Sequence, residues 1–339
     1  MRYNVPLLTL ACTLLAGPAF AATTLESVRA HGALRCGVAT NPEDWNKTDL
    51  HGDLSALYLE ICKAISVAAL GDDAKVEAKI YPSEAEALEG LSRSDVDVTV
   101  GVTPAASPMW QWHIAFGPPI FYDGQAVMVP ATAKAASFKD LSGLSICVIE
   151  GTDNEKQLQA QAHIQGVGLV SDAFQEEGEM EDSVVVRRCD GVSAYLSRLG
   201  QIRATYPNVL AQDKVLPELL TLAPVSPAYR QGDVQWGMIV DWTVHALVTA
   251  EAAGVTRANV APEGESEDIA VQRLLGTDWA ASRALGLDDH FWAARVIAVT
   301  GNYGEIYDRT VGGHGALGLP RGLNALWTSG GLMHPLPVQ

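Results

Sequence analysis

Four cysteines, Cys36, Cys62, Cys147 and Cys189, remain in this 339-residue chain once its first 21 residues are set aside, and disulfide formation is the first chemistry they allow. Four cysteines admit three pairings. Cys36 lies in an apparent strand (Ala33–Ala39) and Cys62 in the helix that follows it; Cys147 lies in the strand Leu144–Ile149 and Cys189 begins the strand-like run Cys189–Ala194. Spacing therefore favours Cys36–Cys62 and Cys147–Cys189, the alternative being four buried thiols. No Cys-x-x-Cys or His-x-x-x-His spacing occurs, so no metal site is expected. No Ser-His-Asp or paired-carboxylate motif stands out either, and no catalytic residue or cofactor is assigned. Gly151-Thr152, between a strand and a polar helical stretch from Asn154 to about Ala162, offers unpaired N–H groups at a helix N-terminus, where a ligand carboxylate fits as readily as a plain helix cap. Gln175–Asp182 carries five acids around Gly178 and reads as a solvated loop.

The elements that must position these residues alternate strand with helix. Leu57, Ile61, Ile65 and Ala69 recur at helical spacing, Val76–Tyr81 alternates as a strand, Glu84–Gly90 is a short helix, and Asp95–Val100 is a strand of period two. The cycle restarts at Leu144–Ile149. Such interleaving implies parallel sheets, and the length implies two domains. Phe121–Pro130 and Leu222–Tyr229 read as two crossovers between them, before a helix over Trp236–Glu251. The expected fold is α/β: two α/β lobes joined by two crossover strands, with lobe 1 discontinuous (22–125 and 226–339) and lobe 2 at 126–225.

Arg2, the apolar run Val5–Ala16 and the Ala19-Phe-Ala21 pattern read as a secretory signal peptide cleaved after Ala21, which places the protein in a disulfide-permissive periplasm. The leader carries one base and no acid, so its loss takes the formal charge from −17 to −18. That acidity argues against nucleic-acid or anionic-membrane binding.

The segment Phe138-Lys-Asp-Leu-Ser-Gly-Leu-Ser-Ile-Cys-Val-Ile-Glu-Gly-Thr152 resembles the second-lobe opening of the family 3 extracellular solute-binding proteins of ABC transporters. Leu34-Arg-Cys-Gly-Val38, Phe121-Tyr-Asp-Gly-Gln125, Arg188-Cys-Asp190, Ala228-Tyr-Arg-Gln-Gly-Asp233, Gly301-Asn-Tyr-Gly-Glu-Ile-Tyr307 and the tail Leu319–Met333 are similar to that family as well, most of all to its general L-amino-acid-binding (Aap/Bzt type) subunit. The resemblance implies the periplasmic binding protein type II fold, hinge closure on a small-molecule solute, and an ABC permease as partner; a monomer is expected.

At the ligand anchors the sequence departs from that family. The arginine that grips an α-carboxylate aligns with Pro108, and no arginine occurs from Ser94 to Val186. The aspartate that pairs with the α-ammonium aligns with Tyr195. Thr103, Gly151 and Thr152 are then the expected polar contacts, Tyr58, Trp110 and Tyr195 set the pocket's shape, and Trp45 is a possible lid. Asp190 is assigned to the framework, and Trp236, Trp242, Trp292 and Trp327 to the core. Aromatic faces suit a flat apolar solute or a quaternary ammonium. Two further readings are a sensory protein that presents a solute to a membrane receptor, and an enzyme resembling the cyclohexadienyl dehydratases on this fold.

Overall fold

The computed structural model describes residues 22–39, 53–260, 266–277 and 279–337. Trp45 lies outside the described residues, as do the leader and its cleavage point. The chain begins with α1 (Thr24–His31), whose N-terminus is closed by a reciprocal Thr23–Glu26 capping box. There follow β1 (Leu34–Ala39), α2 (Ser55–Leu70), β2 (Val76–Tyr81), α3 (Glu84–Ser92), β3 (Val98–Val102), α4 (Ala106–Trp112), β4 (Ile114–Phe116) and β5 (Phe121–Asp123). The middle of the chain forms β6 (Gln125–Val129), β7 (Ser145–Ile149), α5 (Asp153–Gln165), β8 (Val170–Phe174), α6 (Glu177–Val185), β9 (Gly191–Tyr195), α7 (Leu196–Thr205), α8 (Pro207–Leu210) and β10 (Lys214–Val215). It ends with β11 (Ala223–Arg230), α9 (Val234–Ala252), α10 (Ile269–Leu274), α11 (Ala280–Leu285), α12 (Trp292–Thr300) and α13 (Tyr303–Thr310).

Two mixed sheets result, ordered β2-β1-β3-β11-β4 and β10-β6-β9-β7-β8, with β5 paired to β11. Within them β1, β2 and β3 are parallel, as are β7, β8 and β9. Each sheet is covered on both faces, which is what nearly continuous apolar strands such as Val98–Val102 and Gln125–Val129 require. On the first sheet α2, α9 and α12 form the larger layer around Trp236, Tyr303 and Tyr307. The predicted stripe of α2 is buried, and so are Ala64, Val67 and Ala68 beside it, because the helix is enclosed by β1, α9 and α12.

The chain leaves the first sheet after Asp123 and enters the second at Gln125, so the expected single strand Phe121–Pro130 is two strands divided at Gly124. It returns through β11, whose Ala223, Pro224 and Val225 face Asp123, Tyr122 and Phe121. Only glycine fits at 124, since a Cβ there would stand 2.3 Å from the Thr221 carbonyl oxygen of the returning segment. Both disulfides form as the spacing predicted: Cys36–Cys62 fastens α2 to β1, and Cys147–Cys189 fastens β7 to the approach to β9.

Two expectations are corrected. The acidic run expected as a loop is mostly helix α6: Met180, Ser183 and Val184 are buried on one face, while Glu177 and Glu181, one turn apart, meet Arg198 on another. Trp327 is 62% exposed on a short 3₁₀ turn, not core, whereas Trp236 and Trp292 are buried and Trp242 packs half-buried against the core.

The interior also holds one poorly satisfied acid. The Tyr229 hydroxyl donates to Asp241 Oδ2 at 3.0 Å, but Asp241 Oδ1 is buried without a partner against Gly117. Burial pushes this carboxyl up from its ordinary 3.8 to about 6. A carboxyl whose folded value is raised contributes full stability below pH 4 and loses it as pH rises to about 6, because the unfolded chain gives up its proton first. Asp241→Asn is therefore expected to stabilise the protein at pH 7.5 by about 1–2 kcal/mol, allowing for the solvent that reaches this half-buried group, and to change little at pH 4. Urea unfolding at both pH values checks this; a pH-independent difference would sink it.

Candidate functional site

In open α/β sheets, ligands bind beyond the carboxyl ends of parallel strands. Here those ends bring Glu84 (after β2) and Thr103 (after β3) together on the first sheet. On the second they bring up Gly151 and Thr152 (after β7), Glu177 (after β8), and Tyr195 with Ser197 and Arg198 (after β9). Of the residues expected to line a pocket, Thr103, Gly151, Thr152 and Tyr195 lie at these carboxyl ends. Two cavities among the described residues lie elsewhere. One of about 630 Å³ opens at the amino-terminal edge of the second sheet beside Pro130, Asp140, Arg187 and Asp190, and one of about 410 Å³ lies between the end of α2 and Asp288.

On the first sheet, Thr103 is half-buried just past β3. Its backbone N–H donates to Glu84 Oε2 at 2.8 Å and its hydroxyl to Glu84 Oε1 at 3.0 Å. Glu84 is the first residue of α3, a helix capped by the Ser83 hydroxyl accepting from the Glu86 N–H. Tyr58 is 2% exposed, a core residue of α2 whose ring lies under the backbone of Gly101. A Cβ on Gly101 would come 2.3 Å from that ring, and φ there is +96°, so glycine lets the aromatic support the carboxyl end of β3. Met109 and Trp110 stand out on α4, Trp110 84% exposed, while Trp112 packs half-buried against the layer containing Leu88 and Ile114. Pro108 occupies this same short helix.

On the second sheet, Thr152 is the N-cap of α5: its hydroxyl donates to the Ile149 carbonyl at 2.7 Å and accepts from the Glu155 N–H at 3.2 Å. The Gly151 N–H donates to Glu155 Oε2 at 2.7 Å. Tyr195 pairs with Gln125 across β6 and β9, which sets it next to the crossover. It occupies the N-cap position of α7 without a side-chain cap bond; that helix is capped instead by Asp123, fully buried on the crossover strand. Asp123 accepts from the Gly124 N–H at 2.9 Å, the Ser197 N–H at 3.2 Å and the Ser197 hydroxyl. A carboxylate at a helix N-terminus is favoured by the aligned peptide dipoles, and here it ties the hinge to the second sheet. Asp190 accepts from the Ser145 N–H at 2.9 Å, joining the starts of β7 and β9.

Arg198, Glu84 and Glu155 escaped the sequence reading. Arg198 is 5% exposed and bonds Glu177 and Glu181 at 2.5 and 2.7 Å, and burial lowers its pKa. Its place three residues after Tyr195, beyond the arginine-free stretch Ser94–Val186, was the available signal. From α7, Gln201 Oε1 accepts from the Asp53 N–H at 3.0 Å, and Gly200 packs under Leu319, so this helix touches the first unit. Among the described residues, no His, Cys, Asp and Glu cluster could hold a metal ion, and no helix is long and apolar enough to cross a membrane.

No protein-family model matches the chain. It is 36% identical over 329 residues to the glutamate/glutamine/aspartate/asparagine-binding protein of Rhodobacter capsulatus, covering 96% of both chains. It is 36% identical over 325 residues to the general L-amino acid-binding periplasmic protein of Rhizobium johnstonii, covering 95% of this chain and 94% of that one. Among solved structures, an ABC transporter periplasmic binding protein from Brucella ovis with glutathione bound superposes with a TM-score of 0.74 at 32% identity, over 94% of this chain and all of that one.

Proposed function

Because this chain belongs to the family 3 extracellular solute-binding proteins of ABC transporters, we propose that the solute it captures between its lobes is not an ordinary α-amino acid. Its role is that of a periplasmic solute-binding protein of an ABC uptake system, with a small-molecule ligand and a membrane permease as partners. Two slender crossovers, at Asp123–Gln125 and at the start of β11, make a hinge, and a solute touching both sheets favours closure by its differential affinity.

The observation that carries the ligand reading is the state of the polar contacts. Thr103 and Gly151, the donors available to a ligand carboxylate, each hold a glutamate of the chain itself, and no arginine occurs from Ser94 to Val186. Losing two charge-assisted bonds, each of roughly 1.5–3 kcal/mol, lowers affinity for an α-amino acid by on the order of a hundredfold or more. The relatives named for binding amino acids and the one with glutathione bound suggest that this frame accepts solutes of different size. In this proposal Thr103, Gly151, Thr152 and Tyr195 contact the solute, Trp110 borders it, and Tyr58 supports it from below. The lobes divide at the two crossovers, the first sheet running to Asp123 and resuming at Ala223, two to three residues from the expected bounds of 125 and 226; the mature monomer begins after Ala21 and does no covalent chemistry.

A thermal-shift screen of the purified protein against amino acids, betaines, polyamines, aromatic acids and glutathione tests this. At a hundredfold excess over Kd a ligand adds about 2.7 kcal/mol, enough for a shift of several degrees. The expected result is such a shift from a solute other than the common L-amino acids. A comparable shift from those at micromolar concentration would overturn the atypical ligand, and turnover of prephenate would favour an enzyme.

A further inference from the structure

We propose that Glu84 is a specificity-determining residue: its carboxylate fills the anion position offered by Thr103 and excludes a ligand carboxylate from it. This deepens, and rests on, the solute-binding reading above. The two Thr103 donors engage the two oxygens of one carboxylate, so the structure itself identifies this pair as a carboxylate-holding site. The carboxylate already there is anchored to the first turn of a capped helix rather than to a wandering loop. A tethered group of this kind competes at an effective concentration on the order of millimolar, which a ligand at micromolar concentration does not match.

A ligand carboxylate placed beside Glu84 without displacing it would meet a like charge, which disfavours ionisation of both. No arginine between Ser94 and Val186 is present to hold the second anion. The second sheet repeats the arrangement, with Glu155 on the Gly151 N–H. The solute class that fits presents a neutral or cationic group to Thr103 and Glu84, not a carboxylate.

Titration calorimetry on the exported protein tests this with wild type, Glu84→Gln, Glu84→Ala, and Glu84→Ala combined with Thr103→Val. L-Glutamine and glutathione serve as carboxylate probes, putrescine and choline as carboxylate-free ones. Glu84→Ala is expected to bind the carboxylate probes about tenfold or more tightly than wild type, with Glu84→Gln between the two. Thr103→Val removes the hydroxyl donor and leaves the backbone N–H, so it should reduce the gain, and the carboxylate-free probes should show none. Glu84→Gln keeps the side chain's length and one of its two acceptor oxygens, so it still reports if the alanine variant folds poorly. The proposal is overturned by unchanged or weaker carboxylate binding in both single variants, by an equal gain for all four probes, or by a gain that Thr103→Val leaves undiminished. Absence of gain in variants of a wild type that still binds a solute in the thermal screen removes Glu84 alone; failure of wild type to bind any solute removes the underlying reading.

Discussion

Replacing Arg198 by methionine is expected to lower the unfolding free energy by about 3–5 kcal/mol, because it removes the guanidinium that Glu177 and Glu181 share in a largely closed space. Their side chains are only 18% and 14% exposed, so water does little to screen the repulsion. Removing the charges together should behave differently. The triple variant Arg198→Met, Glu177→Gln, Glu181→Gln removes all three of these charges together, and most of the loss is expected to be recovered. Denaturant unfolding of the single and triple variants checks this, and equal losses in both would sink the idea that charge rather than packing is at stake. The test also bears on the site, since Arg198 joins α7, which carries the Ser197 contact to the crossover, to α6.

The second large effect concerns the disulfides. Cys147–Cys189 closes a loop of 42 residues and Cys36–Cys62 one of 26. Chain-entropy reasoning assigns them about 4 and about 3.5 kcal/mol, with the longer loop gaining more because cross-linking removes more freedom from the unfolded chain. Replacing Cys147 and Cys189 by alanine is thus expected to lower the unfolding midpoint slightly more than the same change at Cys36 and Cys62. Because each bridge joins elements of one sheet unit, binding in the folded protein should persist in either variant. Unfolding curves with parallel ligand titration decide the matter; loss of binding without loss of stability would show that a bridge shapes the site directly.

Much of the frame was legible in the residues alone. The helical spacing of Leu57, Ile61, Ile65 and Ala69, the alternation in Val76–Tyr81, the two Pro-marked crossovers and the cysteine positions all report local burial, which periodicity encodes directly. The absence of arginine from Ser94 to Val186 is likewise a fact of sequence, and it pointed to an altered pocket before any fold was known. Where the reading failed, it did so for a stated reason. Gln175–Asp182 looked like a solvated loop because its charges outnumber its apolar residues, and nothing local shows that two of them face an arginine some twenty positions further on.

What the tertiary structure alone decided is which ionised groups meet. Glu84 and Thr103 are 19 residues apart, Arg198 and Glu177 are 21, and Asp123 and Ser197 are 74. Each pair forms because two parallel strands flanking a shared one (β2 and β3 about β1, β8 and β9 about β7) end on the same edge, or because a crossover strand abuts a helix start, and those arrangements belong to sheet order rather than to sequence spacing. A buried carboxylate or guanidinium must find a partner or give up its charge, and the chain can supply that partner from any element the sheet brings near. Periodicity therefore determined the alternating strands and helices and the family resemblance pointed to a receptor with a missing anchor, while the strand edges determined that Glu84 and Glu155 hold the Thr103 and Gly151 donors.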